Sequence, residues 1–126
     1  MLLIRQAAVY APEYLGIKDV LICSNKIEAI EDHIDGEIPF CKVVGGHGKK
    51  LTPGFLDPHI HITGGGGEGS FHTQVPAVKL SELLEGGVTT VVGLLGTDGL
   101  TRSVENLIAQ AKSLKEQGLT VYALTG

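Results

Sequence analysis

Near residue 50 the spacing of apolar and polar residues changes character, and the change divides the chain into two regions. In the first region, short runs of β-branched and apolar residues predict strands, since turn-forming residues separate them. These runs cover residues 2–10, 17–24, 26–32 and 40–44. Asn25 followed by Lys26 predicts a tight hairpin turn. Short strands joined in this way predict a small antiparallel sheet.

In the second region, strand-like runs alternate with helix-like runs. The predicted elements are strands at residues 51–57, 88–95 and 119–124, a helix at residues 75–85 and a second helix between Ser103 and Gly118. Pro76 suits the first turn of the first helix, and Ser103 is a preferred residue for capping the second. The β-α-β-α-β order predicts a parallel sheet with right-handed crossovers.

The length of the second region limits the fold. Three parallel strands cannot close a (β/α)₈ barrel, which needs about 250 residues. The sequence stops at Gly126, directly after a predicted buried strand, and an uncovered strand edge favours aggregation. We therefore expect a truncated α/β protein, with a small open α/β domain as the alternative.

Composition and charge exclude several classes of function. The chain has 126 residues, 43% of them hydrophobic, and a formal net charge of −4 without a basic cluster, which argues against nucleic-acid or membrane partners. No apolar run reaches the roughly 18 residues of a membrane span, and the first residues lack a signal peptide pattern. We therefore predict a cytoplasmic protein in which Cys23 and Cys41 are reduced.

The residues with the clearest chemistry form the segment Pro-Gly-Phe-Leu-Asp-Pro-His-Ile-His, which ends at His61. Side chains alternate along a strand, so His59 and His61 point the same way and could bind one metal ion as neutral imidazoles. Two ligands do not complete a zinc site, and half-exposed strand histidines fit the same pattern. Asp57 could orient an imidazole or bond only to neighbouring backbone.

This segment resembles the amidohydrolase superfamily, in which Pro-Gly-Phe-x-Asp-x-His-x-His closes the first strand of a metal-bearing (β/α)₈ TIM barrel. The four glycines of residues 64–67, followed by Glu68, and the block Gly-Leu-Leu-Gly-Thr-Asp that ends at Asp98, look like the isoaspartyl (β-aspartyl) dipeptidases of that superfamily. The resemblance implies that residues 1–50 are N-terminal strands of a small β-sandwich. Residues 51–126 are then the first part of the barrel.

The resemblance also implies a metal site. His59 and His61 would bind the more buried of two zinc ions. A carboxylated lysine, two further histidines and an aspartate that acts as general base complete the family's site, and none of them lies in this chain. We expect the remaining histidines to be ordinary loop or surface residues; they are His33, His47 and His72.

A substrate site follows from the same resemblance. Glu68 would bind the free α-amino group, Gly66 would contact the substrate through its backbone, and Thr97 would donate a hydrogen bond. A carboxylate suits an ammonium group, and glycine permits close approach. The implied activity of the full-length protein, expected to be a homo-oligomer, is hydrolysis of β-aspartyl dipeptides. The chain itself supplies no catalytic residue and is expected to be inactive alone.

Two other functions stay open at this point. A cyclic amidohydrolase of the dihydroorotase or hydantoinase type shares the histidine pair, but it does not need an ammonium-binding loop. A non-catalytic α/β module complete at 126 residues is the other. It requires that the isolated chain unfold cooperatively.

Overall fold

The computed structural model describes all 126 residues and divides into two compact units, Met1–Pro53 and Gly54–Gly126. The elements of the first unit are β1 (Leu2–Tyr10), β2 (Tyr14–Cys23), β3 (Lys26–Glu31), β4 (Lys42–Gly45) and β5 (Lys50–Leu51). Those of the second unit are β6 (Phe55–Ile60), α1 (Leu80–Glu85), β7 (Val88–Leu94), α2 (Val104–Glu116) and β8 (Thr120–Leu124). No helix has the length and apolar composition that crossing a membrane would require.

The first unit is a mixed sheet. Its strand order is β3-β2-β1-β4, and β5 also pairs with β1. β2 runs antiparallel to β1 and β3, as predicted, whereas β4 and β5 run parallel to β1. The prediction of a wholly antiparallel sheet is therefore wrong. β4 has the same direction as β3, and residues 32–41 supply the crossover that a parallel arrangement requires in place of a hairpin.

A buried carboxylate organises the polar part of the first unit. Asp19 is fully buried and accepts the backbone N–H groups of Gln6 at 2.9 Å and Ile34 at 3.1 Å. Nη1 of Arg5 donates to the same carboxylate at 2.8 Å. Gln6 has a φ of 56° and lies where the β1–β2 register shifts. Asp19 thus satisfies the amide that this bulge removes from the strand ladder.

The second unit contains three parallel strands in the order β6-β7-β8. This confirms the predicted β-α-β-α-β arrangement. The buried side chains between the sheet and the helices include Ile62, Val91, Leu107 and Leu114. α2 begins as predicted, because the Ser103 hydroxyl accepts the Asn106 N–H at 3.3 Å. Gly118 follows its end with a φ of 101°.

The strand predicted at residues 51–57 is divided in the structure. Lys50–Leu51 pairs with β1, whereas Phe55–Ile60 pairs with β7 in the second unit. Pro53 has no N–H group to donate to a strand partner, so it interrupts the ladder between the two segments.

The first helix is shorter than its apolar spacing predicts, since it begins at Leu80 and not at Val75. A residue before proline avoids the helical region, and Val75 precedes Pro76. Its N–H instead donates to the carbonyl of Gly65 at 2.8 Å, and the N–H of Val78 donates to the carbonyl of Ile62 at 3.3 Å. These contacts hold the segment extended.

Candidate active site

The candidate site lies in the second unit, at the carboxyl ends of β6 and β7. Parallel strands bring their carboxyl ends to one edge, where barrel enzymes keep their functional loops. Two loops follow these strands: residues 63–69, here called the glycine loop, and residues 95–103, the β7–α2 loop. The residues predicted for metal and substrate binding lie in or beside them: His59, His61, Gly66, Glu68 and Thr97.

The two histidines lie side by side, with ring centroids 5.6 Å apart and an angle of 32° between the rings. His59 is exposed and His61 is half-buried. Nδ1 of His61 is buried without a hydrogen-bond partner. Two neighbouring imidazoles suit a metal ion, which neutral histidine binds. No cluster of three or more histidine, cysteine or acidic residues exists in the chain, so these two would be partial ligands.

The lack of a side chain at Gly96 leaves space for the imidazole of His61. A Cβ added at Gly96 would lie 2.6 Å from Nδ1 of His61 and 2.9 Å from its Cε1. Any side chain at this position would therefore push the imidazole away. The predicted ligand thus depends on a glycine in the β7–α2 loop, 35 residues further along.

Asp57 contacts backbone. Its Oδ1 accepts the N–H of His59 at 3.0 Å. Of the two roles considered for this residue, the structure shows the backbone bond.

Glu68 and Thr97 form a hydrogen-bonded pair across the two loops. The Thr97 hydroxyl donates to Oε1 of Glu68 at 2.6 Å, and both residues are exposed. This hydrogen bond, together with the amide of Glu68 itself, holds the pKa of the carboxyl below its usual value. Glu68 is therefore an anion at neutral pH. Together they border a cleft of about 350 Å³, with Phe71 and Leu100 on its walls.

The glycines of the loop allow backbone to pack against backbone. Gly64, Gly66 and Gly67 have φ values of 92°, 70° and 100°, which side chains rarely permit. A Cβ at Gly66 would lie 2.4 Å from the carbonyl oxygen of Thr73. The loop carrying Glu68 is therefore seated closely against the chain segment that leads to α1.

The structure also assigns contacts to residues that the sequence analysis did not single out. Arg102 binds three carbonyl groups of the second unit, and Gln74 donates to Asp98 at 2.5 Å. The carbonyl partners of Arg102 lie 27 to 39 positions away in sequence, so no local spacing reveals them. In the sequence, Arg102 is distinguished only by its position directly before the capping residue Ser103.

The other histidines lie outside the cluster formed by His59 and His61. His33 is in the first unit, with Nδ1 3.2 Å from the Asp19 carboxylate. His47 is exposed in a loop, and His72 is exposed in the 3₁₀ turn Phe71–Thr73. Cys23 and Cys41 are free thiols, as predicted.

Comparison with known proteins finds sequence relatives that this chain matches over a small part of their length. No family model matches the chain. A dihydroorotase of Listeria monocytogenes serotype 4a (strain HCC23) is 33% identical over 109 residues, which are 84% of this chain and 24% of the relative. A dihydroorotase of Elusimicrobium minutum (strain Pei191) is 37% identical over 111 residues, 86% of this chain and 24% of the relative. The chain thus spans about a quarter of these curated relatives.

Solved structures are also similar to this chain. A D-hydantoinase from Thermus sp. shares the fold, with a TM-score of 0.63 at 21% identity over 94% of this chain and 24% of its own. The predicted resemblance to the amidohydrolase superfamily, and within it to β-aspartyl dipeptidases, is confirmed by a more similar structure. The β-aspartyl dipeptidase from Fervidobacterium islandicum AW-1, solved with a β-Asp-Leu dipeptide, is 48% identical with a TM-score of 0.88. The match covers 99% of this chain and 33% of that one.

Proposed function

We propose that this chain is part of a metal-dependent hydrolase that cleaves the isopeptide bond of β-aspartyl (isoaspartyl) dipeptides. The observation that carries the proposal is the Glu68–Thr97 hydrogen bond, which joins the loops that follow β6 and β7. The 48% identity to a β-aspartyl dipeptidase supports the same substrate class.

In this proposal Glu68 and Thr97 recognise one end of the substrate. An anionic carboxylate at the rim of a cleft attracts the free α-ammonium group of the isoaspartyl residue. The Thr97 hydroxyl, which donates to Glu68, keeps one carboxylate oxygen in place and leaves the other for the ligand. Gly66 would contact the substrate through its backbone, since no side chain stands in the way.

His59 and His61 are the residues of this chain that would hold zinc. The two neighbouring imidazoles, with ring centroids 5.6 Å apart, fit a shared cation. A zinc ion held there would supply Lewis acidity for the scissile carbonyl and for a water molecule. Residues outside this sequence would supply the other metal ligands, a carboxylated lysine among them, and the general base.

The test is the variant Glu68→Gln in the longest protein that the gene encodes. Removing the charge that faces the ammonium group should lower kcat/KM for β-Asp-Leu about 100-fold. Zinc content, measured by mass spectrometry, should not change. Glu116→Gln, at the exposed end of α2, is the matched control and should keep wild-type activity. Equal activity of both variants would refute the ammonium site.

A second candidate function is supported by the curated relatives, which are named dihydroorotases. Dihydroorotate carries a carboxylate and no ammonium group, so the anionic Glu68 would repel it. Assaying the purified protein with β-Asp-Leu and with dihydroorotate separates the two functions. Turnover of dihydroorotate alone would replace the dipeptidase proposal.

The resemblance further supports a cytoplasmic homo-oligomer as part of this proposal. Light scattering of the purified protein measures its mass in solution. A monomeric mass for an active preparation would contradict the oligomer.

A further inference from the structure

The side chain of Arg102 binds the backbone of the glycine loop. Its Nε donates to the carbonyl of Thr63 at 3.0 Å, Nη1 to that of Gly65 at 3.2 Å, and Nη2 to that of Val75 at 2.7 Å. Only 9% of its side chain is exposed. A Cβ at Gly64 would lie 2.8 Å from Nη2, so the glycine also makes space for the guanidinium group. One side chain therefore fixes two neighbouring segments of backbone.

Asp98 fixes the β7–α2 loop in a similar way. Its Oδ1 accepts the N–H groups of Leu100 and Thr101, both at 3.0 Å. Its Oδ2 accepts from Gln74 at 2.5 Å and from the Thr101 hydroxyl, and lies 3.6 Å from Nη1 of Arg102. The Thr101 hydroxyl and amide hold the pKa of Asp98 well below its usual range, so the carboxylate is charged at neutral pH.

These contacts connect the two loops that carry the candidate ammonium site. Glu68 ends the glycine-rich run held by Arg102, and Thr97 directly precedes Asp98. We propose that Arg102, paired with Asp98, is a positioning residue that keeps Glu68 and Thr97 within hydrogen-bond distance of each other. The inference rests on the proposed function for the role of Glu68, but the loop contacts themselves do not depend on it.

Arg102 acts through the loops and does not touch substrate. Its guanidinium group is buried and already donates to three carbonyls beside a carboxylate. Lysine cannot replace it, since an ammonium group lacks the planar fork that reaches several acceptors at once. The substitution Arg102→Lys therefore keeps the charge and removes the geometry.

The experiment is a double-mutant cycle of Arg102→Lys and Glu68→Gln in the longest protein that the gene encodes, assayed with β-Asp-Leu. Arg102→Lys alone should raise KM about tenfold, the cost of one lost charged hydrogen bond, with kcat changed less than about twofold. In the Glu68→Gln background the same substitution should change KM less than about twofold, since the residue it positions is gone. Additive effects of the two substitutions would overturn the proposal.

Arg5→Lys is the matched control, because Arg5 also pairs with a buried aspartate but lies in the first unit. It should lower the melting temperature without changing KM. If Arg102→Lys does not fold, Asp98→Asn removes the charge that faces Arg102, together with one acceptor oxygen, and should raise KM about threefold. An unchanged KM for a folded variant overturns the proposal.

Hydrogen exchange separates this inference from the proposed function. The N–H of Val75 donates to Gly65, and that of Gly64 donates to His61. Arg102→Lys should speed exchange of both amides at least about tenfold, while Arg5→Lys should not. If the wild-type protein does not hydrolyse β-Asp-Leu, the function fails but faster exchange still supports the positioning role. Unchanged exchange refutes that role in either case.

Discussion

Each unit buries an aspartate beside an arginine, but a different member of the pair makes most of the backbone hydrogen bonds in each unit. In the first unit the carboxylate is the hub, because Asp19 accepts the amides of Gln6 and Ile34 as well as Arg5. In the second unit the guanidinium group is the hub, because Arg102 donates to three backbone carbonyls whereas Asp98 accepts two amides. An aspartate–arginine pair therefore has a different role in each unit.

The difference lies in what each hub holds. Asp19 closes a bulge in β1 and anchors the loop after β3, where no predicted site residue lies. Arg102 and Asp98 hold the two loops that carry Glu68 and Thr97. Damage to the first pair should therefore appear as lost stability, and damage around the second should appear as lost binding.

The largest effect is expected from Asp19→Ala. This substitution leaves the amides of Gln6 and Ile34 without their acceptor and removes the buried carboxylate that pairs with Arg5, which should lower the free energy of unfolding by about 3 kcal/mol. Urea denaturation measures the change. Asp32→Ala is the control, since Asp32 is 91% exposed and bonds only to Lys18; it should cost no more than about 0.5 kcal/mol. Equal losses for both variants would remove the distinction drawn for Asp19.

The next effect is the pH dependence of the same residue. Burial raises the pKa of Asp19, but the Ile34 and Gln6 amides and the Arg5 charge outweigh it and hold the pKa below its usual 3.8. A lowered folded pKa means that the stabilisation is complete above about pH 4 and is lost as pH falls through the folded value. Unfolding free energies measured from about pH 6 downward should show this loss. Asp19→Asn should flatten the curve, and an unchanged slope would contradict the assignment.

Local patterns predicted most elements because their causes are local. Alternating and continuous apolar runs marked the strands, and Ser103 and Gly118 marked the ends of α2. The failures involve contacts between residues that are distant in sequence. The first helix starts late because Val75, which precedes Pro76, stays extended and bonds to Gly65, and β4 runs parallel to β1 because residues 32–41 cross the sheet. Neither fact is visible in the spacing of apolar residues.

The candidate site divides along the same line. The motifs predicted which residues gather at one edge of the parallel sheet, and the structure brings Glu68 to Thr97 and His59 beside His61. The supporting role of Arg102 was not predicted, because its partners are backbone carbonyls, which every residue has. A sequence can indicate reactive groups by type, whereas the groups that hold a loop can be of many types.

Gly96→Ala tests the histidine side of the second unit. The added Cβ would stand 2.6 Å from Nδ1 of His61 and displace the ring, so zinc affinity should fall about tenfold. Competition with a chromophoric chelator measures the affinity. Gly99→Ala is the matched control in the same loop, since nothing lies within 4 Å of its added Cβ. The same affinity for both variants would show that His61 does not need this space to bind metal.

The smallest expected effect comes from removing the hydroxyl of Thr97 while the shape of its side chain is kept. Thr97→Val removes the hydrogen bond to Glu68, so the pKa of Glu68 should rise towards its usual 4.5, while Thr97→Ser should retain the low value. A carbon-13 NMR titration of the glutamate carboxyl measures this directly. KM for β-Asp-Leu should rise about threefold in the valine variant only, because Glu68 is exposed and solvent replaces part of the lost bond. A lowered Glu68 pKa that persists in Thr97→Val would mean that Arg102 and Asp98 position something other than this pair.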